Sequence, residues 1–177
     1  MSGITLSQIV DLTSGRLDES DFPSNLDLSH TELLRSPSGA LIIADIGDEI
    51  GDSSPDSTAA ALKMLVQLSG ESGRSIALLG ELDVPAAEAN DEHDRIGRLV
   101  VRLNVQKLIV VGHAARHIHN AAGLEGSWDG ESELVGTPDE AYDLLREDLG
   151  PEDIVLVKSS VLSGFGALAH RLTGVAK

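Results

Sequence analysis

The sequence predicts an α/β protein with a three-layer, Rossmann-like, doubly wound and mostly parallel sheet. Three observations carry that expectation. From Gly39 onward, short apolar runs of strand length alternate with longer stretches striped at helical spacing. The connections are long enough for right-handed crossovers, which imply parallel pairing. Aromatic residues make up only 2% of 177 residues, so the core has to be built from Leu, Val, Ile and Ala.

The elements follow in order. Leu6, Ile9, Val10 and Leu12 form the apolar stripe of a short helix, with Thr5 or Ser7 as its cap and Gly15 at its end. From Asp18 to Ser38, acids, Ser and Pro dominate, and the stretch reads as loop with about one turn of structure. Residues 1–38 are therefore expected to be an N-terminal extension or linker packed on a main domain of residues 39–177. Ala40 to Ile46 is the first buried strand. Pro55-Asp56-Ser57 opens a helix over 58–68, striped by Ala61, Leu62, Leu65 and Leu68. A strand over 75–80 precedes a helix over 92–103, and a strand over 107–111 precedes a helix over 114–122. Glu133-Leu134-Val135 is brief and acidic, which suits a sheet edge. Pro138 starts a helix reaching Leu149, 153–158 is the last strand, and 163–172 is a helix with an irregular start at Gly164 and Gly166.

Composition excludes several functions. With 29 acidic and 13 basic residues the formal charge is −16, a field that repels phosphate backbones and anionic lipid, so neither nucleic acid nor a membrane is expected as partner. The absence of cysteine removes disulfides, thiolate nucleophiles and thiolate metal sites. No apolar run approaches the roughly 20 residues that span a bilayer, and no secretory signal is read, so a cytoplasmic location is expected.

Ligands of such sheets lie beyond the carboxyl ends of the strands. Those ends carry Asp45, Gly80-Glu81, Gly112-His113 and Lys158-Ser159. No phosphate-cradling glycine loop of either common type is present, since Gly70 to Ser75 lies between a helix and a strand. His113, His117 and His119 put two imidazoles on one helical face, yet suggest no third ligand, so a solvated helix start is the preferred reading and no metal is expected. The acids Asp48, Glu49 and Asp52 lie in a Gly- and Ser-rich loop that fails the calcium-loop spacing and reads as solvated. Lys158 ends an apolar strand in a chain with four lysines, and both an anion contact and an ion pair with a nearby acid remain open.

From Gly39 to about Leu172 these patterns resemble the C-terminal domain of Mur ligases, of the MurF type, the UDP-N-acetylmuramoyl-tripeptide–D-alanyl-D-alanine ligases. Ala40 to Asp45 followed by Pro55-Asp56-Ser57 is similar to the family's strand, Asp-x-Tyr-Asn-Ala-Asn-Pro-Asp-Ser loop and helix. Ala77-Leu78-Leu79-Gly80-Glu81-Leu82 with Glu92-His93-x-x-Ile96-Gly97 resembles its next strand and helix start. Leu108 to Gly112 resembles its third strand, and Asp153 to Ser160 its Asp-x-Val-Leu-Val-Lys-Gly-Ser segment. Thr5 to Ile9 with Gly15-Arg16-Leu17 resembles the opening of the family's N-terminal, UDP-sugar-binding domain. The central ATPase domain has no counterpart in the sequence.

The chain also departs from the family. Asp48, Glu49, Asp52 and Ser54 stand in a longer loop where the family has Tyr and two Asn, which places carboxylates beside a polyanion. Ser159-Ser160-Val161-Leu162 stands where the family has Gly-Ser-Arg, and Asp83-Val84-Pro85 where it has Glu-Leu-Gly. The resemblance implies a ligase that forms an acyl phosphate with ATP and magnesium, which the amine of D-alanyl-D-alanine attacks. This domain would close over nucleotide and hold the dipeptide, with Asp45, Asp48, Asp52, Glu81, His113, Lys158, Ser159 and Ser160 as candidate contacts. The implied partner is the central ATPase domain or another cell-wall protein; ATP and Mg2+ belong to a complete ligase, and none is expected in this chain alone. The chain by itself is expected to be inactive. The alternatives are a degenerate, non-catalytic homologue serving as a regulatory or interaction module, and, ranked last, an unrelated small α/β enzyme or nucleotide binder.

Overall fold

Six strands form one sheet: β1 (Thr31–Arg35), β2 (Leu41–Asp45), β3 (Arg74–Leu79), β4 (Lys107–Val111), β5 (Glu131–Val135) and β6 (Asp153–Lys158). The structure is a computed structural model and describes residues 3–45, 53–160 and 164–174. The spatial order is β1-β2-β6-β3-β4-β5, and all neighbours pair parallel except β1 with β2. The four long apolar runs thus occupy the middle, and the acidic β5 is an edge, as its sequence predicts.

Among the described residues, six α-helices connect or cover the strands: α1 (Leu6–Asp11), α2 (Pro55–Ser69), α3 (Ala89–Arg102), α4 (Arg116–Leu124), α5 (Pro138–Arg146) and α6 (Phe165–Arg171). Because strand side chains alternate between faces, each central strand feeds two cores. Ile43, Leu79, Val110 and Leu156 meet Ile9, Leu62, Leu65, Ile96 and Ile118 from α1 to α4. Ile42, Leu78, Ile109 and Val157 meet Ala141, Leu145, Phe165 and Leu168 from α5 and α6. This is the doubly wound, three-layer arrangement.

Local signals set the helix starts. Thr5 and Gln8 form a reciprocal capping box at α1. Ser54 Oγ accepts from the Ser57 amide at 3.2 Å, with Pro55 in the first turn of α2. Thr137 caps α5 in the same way, accepting from the Glu140 amide at 3.3 Å. Gly97 settles how closely α3 and α4 approach, since a Cβ there would lie 2.2 Å from the Ile118 carbonyl oxygen.

Two expectations need correction. The stretch 18–38, read as loop, contains a 3-10 turn at Glu19–Asp21 and the whole of β1, which turns at Ser36–Gly39 and pairs antiparallel with β2. β1 carries two charges and is only half-buried over Glu32–Leu34, so it has no apolar run to betray it; its order comes from the partner strand. The helix from Pro138 ends at Arg146 rather than Leu149. Beyond it the Asp148 and Leu149 amides both donate to the Leu145 carbonyl, Gly150-Pro151 follow, and the Asp148 carboxylate receives Arg74 at 3.0 Å and Lys107 at 3.2 Å. Upstream, Arg16 donates to the Gln67 and Leu68 carbonyls, fastening the first segment to the last turn of α2.

Burial alone would raise the Asp148 carboxyl, but the hydrogen bonds and charges of Arg74 and Lys107 outweigh it and hold the group below its usual value of 3.8. The stabilisation from this contact is therefore complete above about pH 4 and is lost as pH falls further. Asp148→Asn is expected to flatten the acid-unfolding profile below pH 4, by no more than about 1 kcal/mol because the side chain is partly solvated. Circular dichroism across pH 2–6 reads it. Gly97→Ala is expected to cost about 1–3 kcal/mol through overpacking of α3 on α4, read by urea denaturation.

Candidate functional site

In an open α/β sheet the crevice for a ligand forms where neighbouring strands send their chains to opposite faces. β2 and β3 lead into α2 and α3 on one face, whereas β6 between them leads into α6 on the other. The switch therefore falls at the carboxyl end of β6, on Lys158, Ser159 and Ser160.

Pairing brings five of the sequence-selected residues together there. Asp45 lies directly beside Lys158 in the β2–β6 register, and Leu79 beside Lys158 in the β3–β6 register. The Gly80 amide donates to the Lys158 carbonyl, and the Ser160 amide donates to the Glu81 carbonyl, both at 3.1 Å. His113 stands at the same end of the sheet after β4, exposed, and its carbonyl accepts from Arg116. Asp48 and Asp52, with Glu49, lie outside the described residues. His117 pairs with Asp94 and His119 with the Ser132 hydroxyl, so the three histidines point to different neighbours. No group of three or more His, Asp and Glu among the described residues is placed to hold a metal ion.

The charged groups of the crevice are not at its surface. Lys158 is 2% exposed and its ammonium donates to the Asp45 carboxylate, itself 6% exposed. Of the two readings left open for Lys158, the ion pair is the one seen. Other buried hydroxyls that sequence reasoning passed over are Thr31, opposite Asp45 in β1, and Ser53 and Thr58 at the start of α2. With Ser159, each has a buried side-chain oxygen that lacks a hydrogen-bond partner. Gly80 makes room for Ser159, since a Cβ at Gly80 would sit 2.1 Å from its Oγ. The only signal for Ser53 and Thr58 was the Ser- and Thr-rich run around Pro55, which reads equally well as capping chemistry. Buried this deeply, such hydroxyls are costly to leave unpaired.

Residues 32–161 match the sequence profile of the family described as Mur ligase, glutamate ligase domain. The chain belongs to the Mur ligase family. It is 40% identical over 140 residues to a UDP-N-acetylmuramoyl-tripeptide–D-alanyl-D-alanine ligase of Mycobacterium leprae, covering 72% of this chain and 27% of that protein. The corresponding ligase of Mycobacterium tuberculosis is 40% identical over 141 residues, covering 71% and 28%. The chain thus spans a little over a quarter of the length of these relatives. Among solved structures, MurF from Acinetobacter baumannii aligns with a TM-score of 0.62 at 19% identity, over 81% of this chain and 30% of that one. MurF ligase from Thermotoga maritima, solved in complex with ADP, aligns at 0.64 and 15% identity, over 94% and 36%. These two likenesses concern the fold.

The Mur ligase pattern also has a structural meaning here. His93 is 1% exposed; its Nε2 accepts from the Leu82 amide at 3.1 Å and its Nδ1 lies 2.6 Å from the Ala89 carbonyl. One imidazole thereby ties the segment after β3 to the first turns of α3, while Gly97 one turn later admits α4.

Removing one partner of a buried ion pair strands the other charge. Lys158→Ala is expected to destabilise the domain by about 3–5 kcal/mol, and Asp45→Asn combined with Lys158→Met by much less. Urea denaturation of both variants checks this; a loss below about 1 kcal/mol for Lys158→Ala would mean that Asp45 is solvated.

Proposed function

We propose that this chain acts as the C-terminal domain of a MurF-like ATP-dependent amide ligase of peptidoglycan precursor synthesis in the cytoplasm. In this reading it closes over a nucleotide held by a central ATPase domain and helps hold the D-alanyl-D-alanine acceptor. The observation that carries the proposal is the 40% identity over 140 residues to a UDP-N-acetylmuramoyl-tripeptide–D-alanyl-D-alanine ligase, together with the convergence of Asp45, Glu81, Lys158, Ser159 and Ser160 at the switch point of the sheet. Their position at the carboxyl ends of β2, β3 and β6 is where this fold offers a ligand its wall. The Thermotoga maritima relative, solved with ADP, supports nucleotide as the neighbouring ligand.

The chemistry of the nucleotide fits these residues in part. Backbone amides at the strand ends can donate to phosphate oxygens, but the first turn of α2 offers few, since Pro55 has no amide hydrogen and the Ser57 and Thr58 amides donate to Ser54. Lys158 is already matched by Asp45, so its charge contributes little to holding a polyanion. In a complete ligase ATP and Mg2+ would supply the activation of the acyl-donor carboxyl; the role of this chain's own residues is to position and to exclude water. A second reading, a non-catalytic homologue working as a regulatory or interaction module, is favoured by one observation. The lysine and the aspartate of the crevice pair with each other, while Glu81 beside them and His113, two strands away at the same end of the sheet, are exposed.

Amide NMR shifts during titration with ATP–Mg2+ and with D-alanyl-D-alanine separate the readings. The first predicts perturbations around 53–58, 80–81 and 158–160, with weak binding by the domain alone, at a dissociation constant of about millimolar order, and weaker binding still in Ser159→Ala. Absence of shifts there, or shifts confined to the opposite end of the sheet, favours the second. In either case the purified chain is expected to release no phosphate from ATP, because a phosphate cradle, a metal site and an aligned nucleophile are not assembled among its described residues.

A further inference from the structure

In a chain with 29 acids and 13 bases, every cation is expected to find a carboxylate. Most do. Arg74, Arg95, Lys107, Arg146, Lys158 and Arg171 are ion-paired, and Arg16, Arg35 and Arg116 donate to backbone carbonyls. Among the described residues, the lysines and arginines with neither hydrogen bond nor ion pair are Lys63, Arg98 and Arg102.

These three are not scattered. Arg98 and Arg102 are one turn apart on α3, both exposed, and with Arg95 they line an open depression of about 350 Å³. α2 and α3 follow parallel strands on the same face of the sheet, so they run in the same direction, and Arg95 bridges to Asp56 at 3.1 Å. Lys63 lies two turns beyond Asp56, and Arg102 two turns beyond Arg95, which sets Lys63 level with Arg102 on the adjacent helix. Asp91 and Asp94 line the other end of the depression, where Asp94 is engaged by His117. The helix dipole gives Arg102 a reason to sit in the last turn, but it accounts for neither Arg98 nor mid-helix Lys63.

We propose that the α2–α3 face, through Arg98, Arg102 and Lys63, is a docking surface for a short acidic segment of a protein partner. The argument is charge complementarity. Guanidiniums one turn apart suit bidentate carboxylates. A short segment touches only this face and is screened from the remaining negative charge beyond about 8 Å at physiological salt. A nucleic acid or an anionic membrane extends past the strip and meets the −16 field. A second copy joined about a two-fold axis would set cation against cation. The proposal is independent of the nucleotide crevice, which lies at the strand ends rather than on the outer helix face.

The test is titration of the full chain with an eight-residue polyglutamate peptide, followed by amide NMR shifts at low and at physiological salt. Shifts should concentrate on Arg95 to Arg102 and around Lys63, and binding should weaken with salt. Arg98→Ala with Arg102→Ala should weaken binding by about tenfold, while Arg146→Ala, whose guanidinium already has acidic partners, should leave it unchanged. All three side chains are exposed, and unchanged shifts outside α3 would show that the fold is kept. Undetectable binding, equal affinity in the double variant, or shifts centred elsewhere would overturn the proposal. So would tighter binding of a DNA duplex at the same residues, which would make the face a nucleic-acid surface.

Discussion

The architecture depends on the insertion of β6 between β2 and β3. Ile154 to Val157 pair on one side with Leu41 to Ala44 and on the other with Ser75 to Leu78, so the centre of both cores is completed only by this strand. Its last residue carries a charge into that interior. The Lys158 ammonium would be intolerable there without the Asp45 carboxylate on the adjoining strand, and the reverse also holds. Strand order, register and the ion pair are therefore one constraint. A slip of one residue between β2 and β6 would separate the charges and turn every side chain of the strand to the wrong face.

The sequence makes the parallel core legible because Ala40–Asp45, Ser75–Leu79, Lys107–Val111 and Asp153–Lys158 are apolar on both faces, as doubly covered strands must be. Helix starts are legible for similarly local reasons, in Thr5, Ser54 and Thr137. β1 is not, because Thr31–Arg35 borrows its order from β2. The placement of β6 is not either: nothing local to Asp45 or Lys158 says that residues 113 apart in sequence become neighbours. The rule that ligands lie beyond the strand ends supplied most of the candidate residues and the family resemblance the rest, and five of them do converge. The partnerless hydroxyls of Thr31, Ser53 and Thr58 escaped notice, since Ser and Thr beside Pro are ordinary turn residues until burial removes their water.

The distribution of charge sets the two candidate surfaces apart. At the strand ends a lysine and an aspartate cancel within the interior, leaving hydroxyls and amides to meet a ligand. On the outer helices three cations remain uncancelled in a chain with more than twice as many acids as bases. A neutral polar crevice discriminates by shape and hydrogen bonding, whereas an exposed cationic strip acts through the rate and salt dependence of encounter. The two surfaces therefore call for different partners.

The central position of β6 also bears on synthesis by the ribosome. Until residue 158 has emerged, β2 and β3 each present an apolar strand with an open edge, and the partner of Asp45 does not yet exist. At roughly 5–20 residues per second, the interval between Asp45 and Lys158 is about 6–20 s. During that time the nascent chain holds two sticky edges apart with nothing between them, the situation in which chaperone capture and off-pathway strand pairing compete with folding. The same strand that makes the finished sheet cooperative makes the unfinished one vulnerable.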